Sequence, residues 1–296
     1  MGMSRRLRGL LEKNELPLIL PGAPNALSAR VVEAAGFEAV YVSGAGVTNT
    51  YLGMPDLGLL TLTELVSHVA AMADAVSIPL VVDADTGFGN ALNVQRAVRQ
   101  LERAGAAAIQ IEDQISPKKC GHFAGKEVVS ASEMVGKIRA AVDARSDEDL
   151  MIIARTDARA THGIEAACER AALYLDAGAD ALFVEAPRSF EEMRYLTRQV
   201  PGCHIANMVE GGLTPLLPQE QLADLGFAVA LYANTAMRGA VVGMRDVLEH
   251  LAKHGDTCAA EDLMISWAER QSLVRKPEFD ELDRRYAADH DPSGAK

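Results

Sequence analysis

Short apolar runs alternate along the chain with amphipathic stretches that open on Ser, Thr, Asp or Asn and close near Gly. Eight runs recur in this way, and each predicts one buried strand followed by a helix. The predicted strands are 18–20, 39–42, 80–82, 108–111, 151–154, 181–184, 204–206 and 228–231. The pattern is therefore that of an α/β protein with a parallel sheet.

A joint between helix and strand recurs in several of these units. AAGFEAVYV at 34–42, RAGAAAIQI at 103–111 and DAGADALFV at 176–184 each place Gly where a helix ends and a strand soon begins. Eight such units without a linker favour a closed (β/α)8 barrel of the TIM type. The alternative is a doubly wound open sheet, which is weakened because no Gly-rich dinucleotide fingerprint follows the first run.

The length of 296 residues suits one barrel domain with an extension. Residues 1–255 accommodate the eight units and predict the catalytic barrel. Residues 256–296 predict a C-terminal helical extension of the same domain, which frays in the polar stretch AADHDPSGAK. Because the barrel is already complete before this extension, we expect its helices to pack on a neighbouring subunit.

Charge and cysteine usage exclude several classes of function. The net charge of −12 argues against nucleic-acid binding, which needs a basic surface. No run approaches the ~18 consecutive apolar residues of a membrane helix, and no secretory signal is recognisable at the N-terminus. Cys120, Cys168, Cys203 and Cys258 are scattered without zinc-type spacing, so they predict free thiols in a soluble, cytoplasmic protein.

Polar residues follow each predicted strand from the second onward. In a barrel of this type the chemistry lies at the carboxyl ends of the strands, so these residues are candidates for a site. In chain order they are Ser43, Gly44 and Ala45, then Asp83 and Asp85, Glu112 and Asp113, Arg155 and Asp157, Glu185, Asn207 and Glu210, and Asn234 with Arg238. A single acid in such a position is often only a helix cap, and this alternative applies to Asp113 and Asp157.

Two acids at alternate positions are more informative than one. Asp83 and Asp85 in DADTGFGN at 83–90 share the period of a strand, so their carboxylates are expected on the same side. Carboxylates gathered in a barrel mouth repel one another unless a hard cation lies between them, which predicts Mg²⁺, with Mn²⁺ as a substitute. Zinc is disfavoured because no His or Cys lies near these acids. The alternative is that the acids only cap helices and pair with Arg155.

The segment KKCGH at 118–122 sets Cys120 among cationic side chains and beside a glycine. Such surroundings favour a reactive thiol able to donate a proton, although a solvated basic loop with an incidental cysteine is the alternative. Pro117, Gly121 and Gly125 suggest that residues 116–128 form a lid. We expect this lid to be the most mobile loop when no ligand is bound.

A set of motifs in fixed order resembles the isocitrate lyase and phosphoenolpyruvate mutase superfamily. The motifs are SGAGV at 43–47, MPDLG at 54–58, DADTGFGN at 83–90, IEDQ at 111–114, KKCGH at 118–122, ARTDA at 154–158, VEAP at 184–187 and NMVEGGLTP at 207–215. The resemblance implies a (β/α)8 barrel whose last helix is exchanged between the subunits of a homotetramer. It also implies binding of Mg²⁺ and of a small di- or tricarboxylate.

The resemblance implies a role for each matching position. Asp83 and Asp85 would hold the ion, Asp83 most directly, with Asp56 and Glu112 in its water shell. Ser43, Gly44, Ala45 and Arg155 would bind the pyruvate-like end of the substrate. Glu185, Asn207 and Arg238 would line the rest, with Gly121 beside the substrate. Cys120 would lie on a mobile gating loop as the general acid, and Lys119, His122 and Arg155 would be its catalytic charge partners.

The implied reaction is the cleavage of a 2-substituted malate to pyruvate and a second carboxylic acid, with Cys120 protonating the carbanion. Arg238 favours 2-methylisocitrate as the substrate, whereas FAGKEVV at 123–129 and NMVEGG at 207–212 favour 2,3-dimethylmalate. A carboxyphosphonoenolpyruvate-type P–C mutase and an oxaloacetate hydrolase remain alternatives. So does a metal-free barrel retained as a binding protein.

Overall fold

Eight parallel strands form a nearly closed barrel in the computed structural model, which describes residues 2–13, 15–119 and 125–287. The strands are β1 Leu18–Ala23, β2 Val40–Val42, β3 Leu80–Asp83, β4 Ala106–Glu112, β5 Met151–Thr156, β6 Ala181–Val184, β7 Ile205–Asn207 and β8 Val229–Tyr232. They pair in the order β6-β5-β4-β3-β2-β1-β8-β7, and a parallel bridge between Leu182 and His204 connects β6 to the start of β7. The predicted barrel and all eight predicted strands are confirmed.

Helices alternate with the strands. They are α1 Met3–Lys13, α2 Ala26–Ala34, α3 Gly44–Val47, α4 Leu62–Ala75, α5 Ala91–Arg103, α6 Ala131–Ala144, α7 Ala158–His162, α8 Ile164–Asp176, α9 Phe190–Gln199, α10 Gln219–Asp224, α11 Thr235–His254, α12 Trp267–Leu273 and α13 Lys276–Tyr286. The polar residues that open the pattern act as caps: Thr61 and Asn90 begin α4 and α5 with reciprocal capping boxes. The joint glycines Gly36, Gly105 and Gly178 all have positive φ, as a helix end of this kind requires.

The apolar core lies in two layers. One fills the space between the sheet and its helices, where β-branched and leucine side chains of the strands meet α2, α4, α5, α6, α8 and α9. The other fills the barrel interior near the amino ends of the strands, where Leu7 of α1 packs against Leu18, Val81 and Met151. Helix α1 therefore closes the end of the barrel opposite to the end where the chemistry is expected, and polar residues are concentrated at the other end.

The chain divides into two compact units, Met1–Arg238 and Gly239–Lys296. The first contains all eight strands. The second contains most of α11 together with α12 and α13, and it exposes many large apolar side chains in its described part, among them Leu248, Ile265, Trp267 and Phe279. Over the described residues, no helix has the length and apolar character needed to cross a bilayer.

Gly22 of β1 provides a test of how tightly the mouth of the barrel is packed. A Cβ atom at this position would lie 1.9 Å from the carbonyl oxygen of Ala233, which follows β8. We expect Gly22→Ala to lower the free energy of unfolding by about 3 kcal/mol, because backbone cannot yield as a flexible side chain does. Thermal unfolding measures this, with Gly9→Ala in α1 as the control, where nothing lies within 4 Å of the added atom. Equal melting temperatures for the two variants would contradict the packing described here.

Candidate active site

A small cavity of about 60 Å³ opens at the carboxyl ends of the strands. Among the described residues its lining is Tyr41, Ser43, Ala45, Asp56, Asp83, Lys118, Lys119, Arg155, Phe183, Glu185, Asn207, Val209, Leu231, Ala233 and Asn234. Nine of the residues predicted from the strand ends or from the resemblance therefore line one cavity: Ser43, Ala45, Asp56, Asp83, Lys119, Arg155, Glu185, Asn207 and Asn234.

A larger depression of about 500 Å³ lies near the amino ends of β1 and β2. Leu16, Pro17, Phe37 and Gln219 are among its lining residues. It is open to solvent and lies away from the strand ends where the acids and Arg155 gather. We therefore place the site in the smaller cavity, where buried charged groups converge.

Asp83 ends β3 and is held by three donors. Its Oδ1 accepts hydrogen bonds from the Asp85 backbone N–H at 3.1 Å and from Gln110 Nε2 at 3.2 Å. Its Oδ2 accepts from the Gly44 N–H at 3.3 Å. Gln110 is itself fixed, because Tyr41 Oη donates to its Oε1 at 2.8 Å. The carboxylate of Asp83 therefore has one orientation before any ligand arrives.

The ammonium of Lys118 lies between two further acids. Its Nζ is 2.6 Å from Asp56 Oδ1 and 2.9 Å from Asp85 Oδ1, and all three side chains are buried or nearly so. Burial raises the pKa of Asp85 to about 7 against the opposing effect of Lys118. Burial also lowers the pKa of Lys118, but the surrounding carboxylates, Asp85 foremost, outweigh it and hold that pKa well above its usual value. Lys118 is therefore a permanent cation.

The acids of the mouth suit a hard cation. Asp56, Asp83, Asp85 and Glu112 are all buried, and Glu112 Oε1 has no hydrogen-bond donor in the described part of the chain. Burial raises the pKa of Glu112 well above its usual range, although Arg155 opposes this. A divalent cation would favour the charged forms of these acids, which are the oxygen ligands that Mg²⁺ prefers.

The arrangement also indicates how such an ion would be held. Across residues 2–13, 15–119 and 125–287, no three acidic, His or Cys side chains converge as a complete set of ligands. One or two carboxylates together with waters would thus coordinate the ion, as is usual for Mg²⁺. Gly44 leaves the necessary room, since a Cβ there would lie 3.0 Å from Asp85 Oδ1 and 3.1 Å from Asp83 Oδ2.

Arg155 ends β5 and is surrounded by carboxylates. Its Nε lies 2.9 Å from Asp157 Oδ2 and 3.2 Å from Glu112 Oε2, and its Nη2 lies 3.6 Å from Glu185 Oε2. The guanidinium also lies over the ring of Phe183, 4.9 Å from the centroid. Burial lowers the pKa of Arg155, but the three carboxylates, Asp157 foremost, raise it well above its usual value. The site thus keeps a fixed cation for an anionic ligand.

The interpretation of Asp113 and Asp157 as helix caps is wrong. Asp157 precedes α7 but makes no capping hydrogen bond, and accepts instead from Arg155 and from Lys126 Nζ at 2.6 Å. Asp113 is fully buried and accepts four hydrogen bonds. Its donors are Thr156 Oγ1 at 2.7 Å, Tyr174 Oη at 2.8 Å, the Asp157 N–H at 3.0 Å and Arg170 Nη1 at 3.1 Å. Both acids therefore build the support beneath Arg155.

Two further predicted residues, Asn207 and Arg238, already form hydrogen bonds with acidic side chains. Asn207 Nδ2 donates to Glu185 Oε2 at 3.2 Å. Arg238 Nη1 donates to the carbonyl oxygen and to Oε2 of Glu210, each at 3.0 Å, while Thr235 Oγ1 donates to Glu210 Oε1 at 2.6 Å. The Arg238 side chain is 54% exposed, and this residue is not among those that line the cavity.

Three predicted residues, Cys120, Gly121 and His122, lie outside the described residues. The expectation of a mobile lid at 116–128 falls partly on the same positions. The described residues on either side are well connected. Gln114 exchanges two hydrogen bonds with the backbone of Lys119, at 2.8 and 3.0 Å, and also forms an antiparallel bridge with Val128.

Several residues of the site did not emerge from the sequence. Tyr41 and Gln110 lie inside predicted strands, and the only signal for Gln110 is a single polar residue within the apolar run of β4. Lys118 belongs to the KKCGH motif, but nothing in the motif shows that it, rather than Lys119, bridges two acids. No local pattern points to Lys126, whose partner is distant in the chain.

Several known proteins are similar to this chain in sequence and in architecture. The family model for phosphoenolpyruvate phosphomutase matches residues 7–252. The chain is 45% identical over 287 residues to 2,3-dimethylmalate lyase of Eubacterium barkeri, which covers 97% of this chain and 99% of that protein. It is also 45% identical over 277 residues to 2-methylisocitrate lyase of Aeropyrum pernix, covering 94% of this chain and 89% of that protein.

Two solved structures are similar over the same extent. A crystal structure of 2,3-dimethylmalate lyase matches with a TM-score of 0.92 and 34% identity, covering 100% of this chain and 99% of that one. The structure of a phosphonopyruvate hydrolase complex with oxalate and Mg²⁺ matches with a TM-score of 0.87 and 32% identity, covering 97% and 99%. Both similarities include the strand ends that form the cavity.

Asp83→Asn tests the predicted metal site, because it removes one buried charge and keeps the shape of the side chain. We expect the affinity for Mg²⁺ to fall at least about tenfold, as measured by calorimetric titration. The rise in melting temperature on addition of Mg²⁺ should shrink accordingly. Asp149→Asn is the control, since Asp149 pairs with Arg5 near the amino end of β5. Unchanged affinity in the Asp83 variant would exclude this position as a ligand.

Proposed function

The chain belongs to the phosphoenolpyruvate mutase/isocitrate lyase superfamily and is a carbon–carbon lyase, and we propose that it cleaves a 2-substituted malate of the 2,3-dimethylmalate or 2-methylisocitrate type. The products would be pyruvate and a second carboxylic acid. The observation that supports this most directly is that Asp83 and Arg155 line one small cavity, while the buried acids Asp85 and Glu112 bind its lining residues Lys118 and Arg155. A fixed cation beside a cluster of metal-type oxygens suits a substrate that carries a hydroxyl next to a carboxylate.

We assign Mg²⁺ as the cofactor, with Mn²⁺ as a substitute. Asp83 and Asp85 would hold it, and Asp56 and Glu112 would bind its waters. When bound, the ion would lower the pKa of the substrate's hydroxyl and stabilise the oxygen of the departing 2-oxo acid. The similar phosphonopyruvate hydrolase complex, which contains Mg²⁺ and oxalate, supports this assignment.

The side chains of the protein would perform the remaining steps. Arg155 would bind the carboxylate of the pyruvate-like end, next to Ser43, Gly44 and Ala45. Glu185, whose side chain is almost fully buried, would accept the proton of the substrate's hydroxyl as the bond to the neighbouring carbon breaks.

The electron pair of the broken bond stays on the second fragment, as a carbanion stabilised by the adjacent carboxylate. Cys120 would protonate this carbon as the general acid, with His122 as a nearby charge and Gly121 beside the substrate. The motif KKCGH is the support for these three roles, because the residues themselves lie outside the described part of the chain.

The surroundings of Arg238 bear on which malate is cleaved. A 2-methylisocitrate carries a third carboxylate, which needs a cation that is free to bind it. Arg238 instead makes two hydrogen bonds to Glu210, whose carboxylate Thr235 also holds. The lining of the cavity includes the apolar side chains Val209 and Leu231 as well as Asn207. These observations favour the dicarboxylate 2,3-dimethylmalate, with Asn207 beside the substrate and Arg238 held outside the cavity lining by Glu210.

A substrate panel tests this proposal. The purified protein with Mg²⁺ is offered 2,3-dimethylmalate, 2-methylisocitrate, isocitrate and oxaloacetate, and pyruvate is followed with lactate dehydrogenase. We expect the highest kcat/KM for 2,3-dimethylmalate and no activity in EDTA. Cys120→Ser should lower kcat by about 10²–10⁴-fold if the thiol is the general acid. Cys258→Ser, at an exposed position, is the control. If neither substituted malate yields pyruvate, P–C bond chemistry becomes the better explanation.

We also propose that the protein is a homotetramer whose last helix is exchanged between subunits. The unit Gly239–Lys296 supports this, because its described helices expose large apolar side chains such as Trp267 and Phe279, which are 72% and 60% exposed. An open apolar groove of about 370 Å³, with Met244, Leu248 and Ile265 in its lining, lies within the same unit. A second copy of the chain would remove this surface from water.

Native mass spectrometry tests the assembly. We expect a tetramer for the protein itself and smaller species for Phe279→Asp, because a buried carboxylate without a partner opposes association. Leu92→Asp is the matched control, since Leu92 is 74% exposed but lies in the barrel unit. A monomeric protein would exclude both the tetramer and the exchange of the helix.

A further inference from the structure

A buried chain of three charged side chains leads to the cavity. Lys126 Nζ lies 2.6 Å from Asp157 Oδ1, with the two side chains 3% and 0% exposed. Asp157 in turn accepts from Arg155, through Nε to Oδ2 at 2.9 Å and through Nη2 to Oδ1 at 3.2 Å. One carboxylate is therefore shared between two cations, in a place where water does not compete for its oxygens.

Asp157 is fixed from its other side as well. Its backbone N–H donates to Asp113 Oδ1 at 3.0 Å, and Asp113 is itself held by Tyr174, Arg170 and Thr156. The backbone of Asp157 is therefore held in place, and its carboxylate binds Arg155 and Lys126 from this fixed position.

Arg155 alone cannot neutralise the carboxylates around it, and Lys126 reduces the excess of negative charge. The guanidinium faces the three carboxylates of Asp157, Glu112 and Glu185 within 3.6 Å. If it alone had to neutralise them, the net charge at this place would repel an anionic substrate. Lys126 cancels the charge of Asp157. Burial would raise the pKa of the Asp157 carboxyl, but Arg155 and Lys126 outweigh it and hold that pKa below its usual range.

The backbone that carries Lys126 is also fixed. The Ile115 N–H donates to the carbonyl oxygen of Glu127 at 2.9 Å, and the Val129 N–H donates to that of Asp113 at 2.8 Å. Lys126 therefore reaches inward from a defined stem and not from a free surface chain. The same stretch between β4 and α6 contains Lys118 and, in sequence, Cys120.

From this geometry we infer that Lys126 is a positioning residue for the proposed reaction: by neutralising Asp157, it leaves Arg155 oriented and positively charged toward the substrate. The inference rests on the proposed function in one respect, the binding of an anionic acid by Arg155. It adds a residue that is not among the described residues lining the cavity and that acts on the substrate through Arg155.

The first test compares the oxalate binding of Lys126→Met and Lys126→Arg with that of the unsubstituted protein. The probe is oxalate in the presence of Mg²⁺, with binding measured by calorimetry. We expect Lys126→Met to weaken oxalate binding and to lower kcat/KM, each by about 10- to 100-fold, as is common for residues one step removed from a site. Lys126→Arg should restore most of the loss, because it returns the charge.

Arg145→Met is the control for simple loss of a partly buried ion pair. Arg145 Nη1 lies 3.0 Å from Asp180 Oδ2, near the amino ends of the strands. This variant should lower the melting temperature without changing the affinity for oxalate. If Lys126→Met behaves in the same way, with a lower melting temperature and unchanged oxalate affinity, Lys126 has only a structural role and the inference fails.

A second variant keeps the test decisive if Lys126→Met folds poorly. Asp157→Asn removes the charge that Lys126 is inferred to neutralise, and it retains the size of the side chain. In the D157N background, K126M should change the oxalate affinity by less than about threefold. Such a reduced effect would indicate that Lys126 and Asp157 are directly coupled. An undiminished effect in that background would overturn the inference.

The outcomes also separate this inference from the proposed function. If the protein releases no pyruvate from any malate but Lys126→Met still weakens the binding of oxalate, the function is wrong and the positioning role stands. If the protein is an active lyase and Lys126→Met binds oxalate normally, the positioning role is wrong and the function stands.

Discussion

The mouth of this barrel holds more buried negative charge than the strands themselves can neutralise, and the rest of the site is organised around that constraint. The strand ends bring Asp83, Arg155 and Glu185 to one small cavity, where Arg155 pairs with Glu112 and Glu185. Carboxylates buried together in this way must be paired, protonated or bound to a metal. The structure shows the first of these outcomes in the ion pairs of Arg155 and Lys118, and burial raises the pKa of Asp85 and of Glu112.

Sheet register decides which of these groups meet. Glu112 lies beside Arg155 in the pairing of β4 with β5, and Asp83 lies beside Gln110 in the pairing of β3 with β4. A shift of one residue in either pair would turn the side chains to the opposite face of the sheet. The apolar strand interiors therefore do more than fill the core, because they hold the register that brings the charged residues together.

The sequence predicted the fold well and the site in part, for physical reasons. Buried parallel strands are continuous apolar runs, and the glycines that end the helices recur at the same joint, so all eight units could be recognised. The acids at the strand ends could also be recognised, because they come directly after the apolar runs.

The sequence could not show which side chains the buried acids bind. The cap remained an alternative for Asp113 and Asp157, because a local pattern does not reveal that Asp113 contacts Tyr174, 61 positions away, or that Asp157 contacts Lys126, 31 positions away. Such contacts exist only after the strands have assembled. This limit is physical, since hydrogen bonds of this kind depend on tertiary distance and not on neighbours in the chain.

The two lysines that complete the charge balance also anchor the stretch of chain between them. Lys118 and Lys126 stand at the two ends of a short stretch that includes Cys120, and each is buried against acids of the barrel. Both ends of that stretch are therefore tied to the barrel by buried ion pairs. A replacement that loses either lysine leaves a buried carboxylate with one cation fewer, so the anchoring of this stretch and the charge balance of the barrel mouth depend on the same two residues.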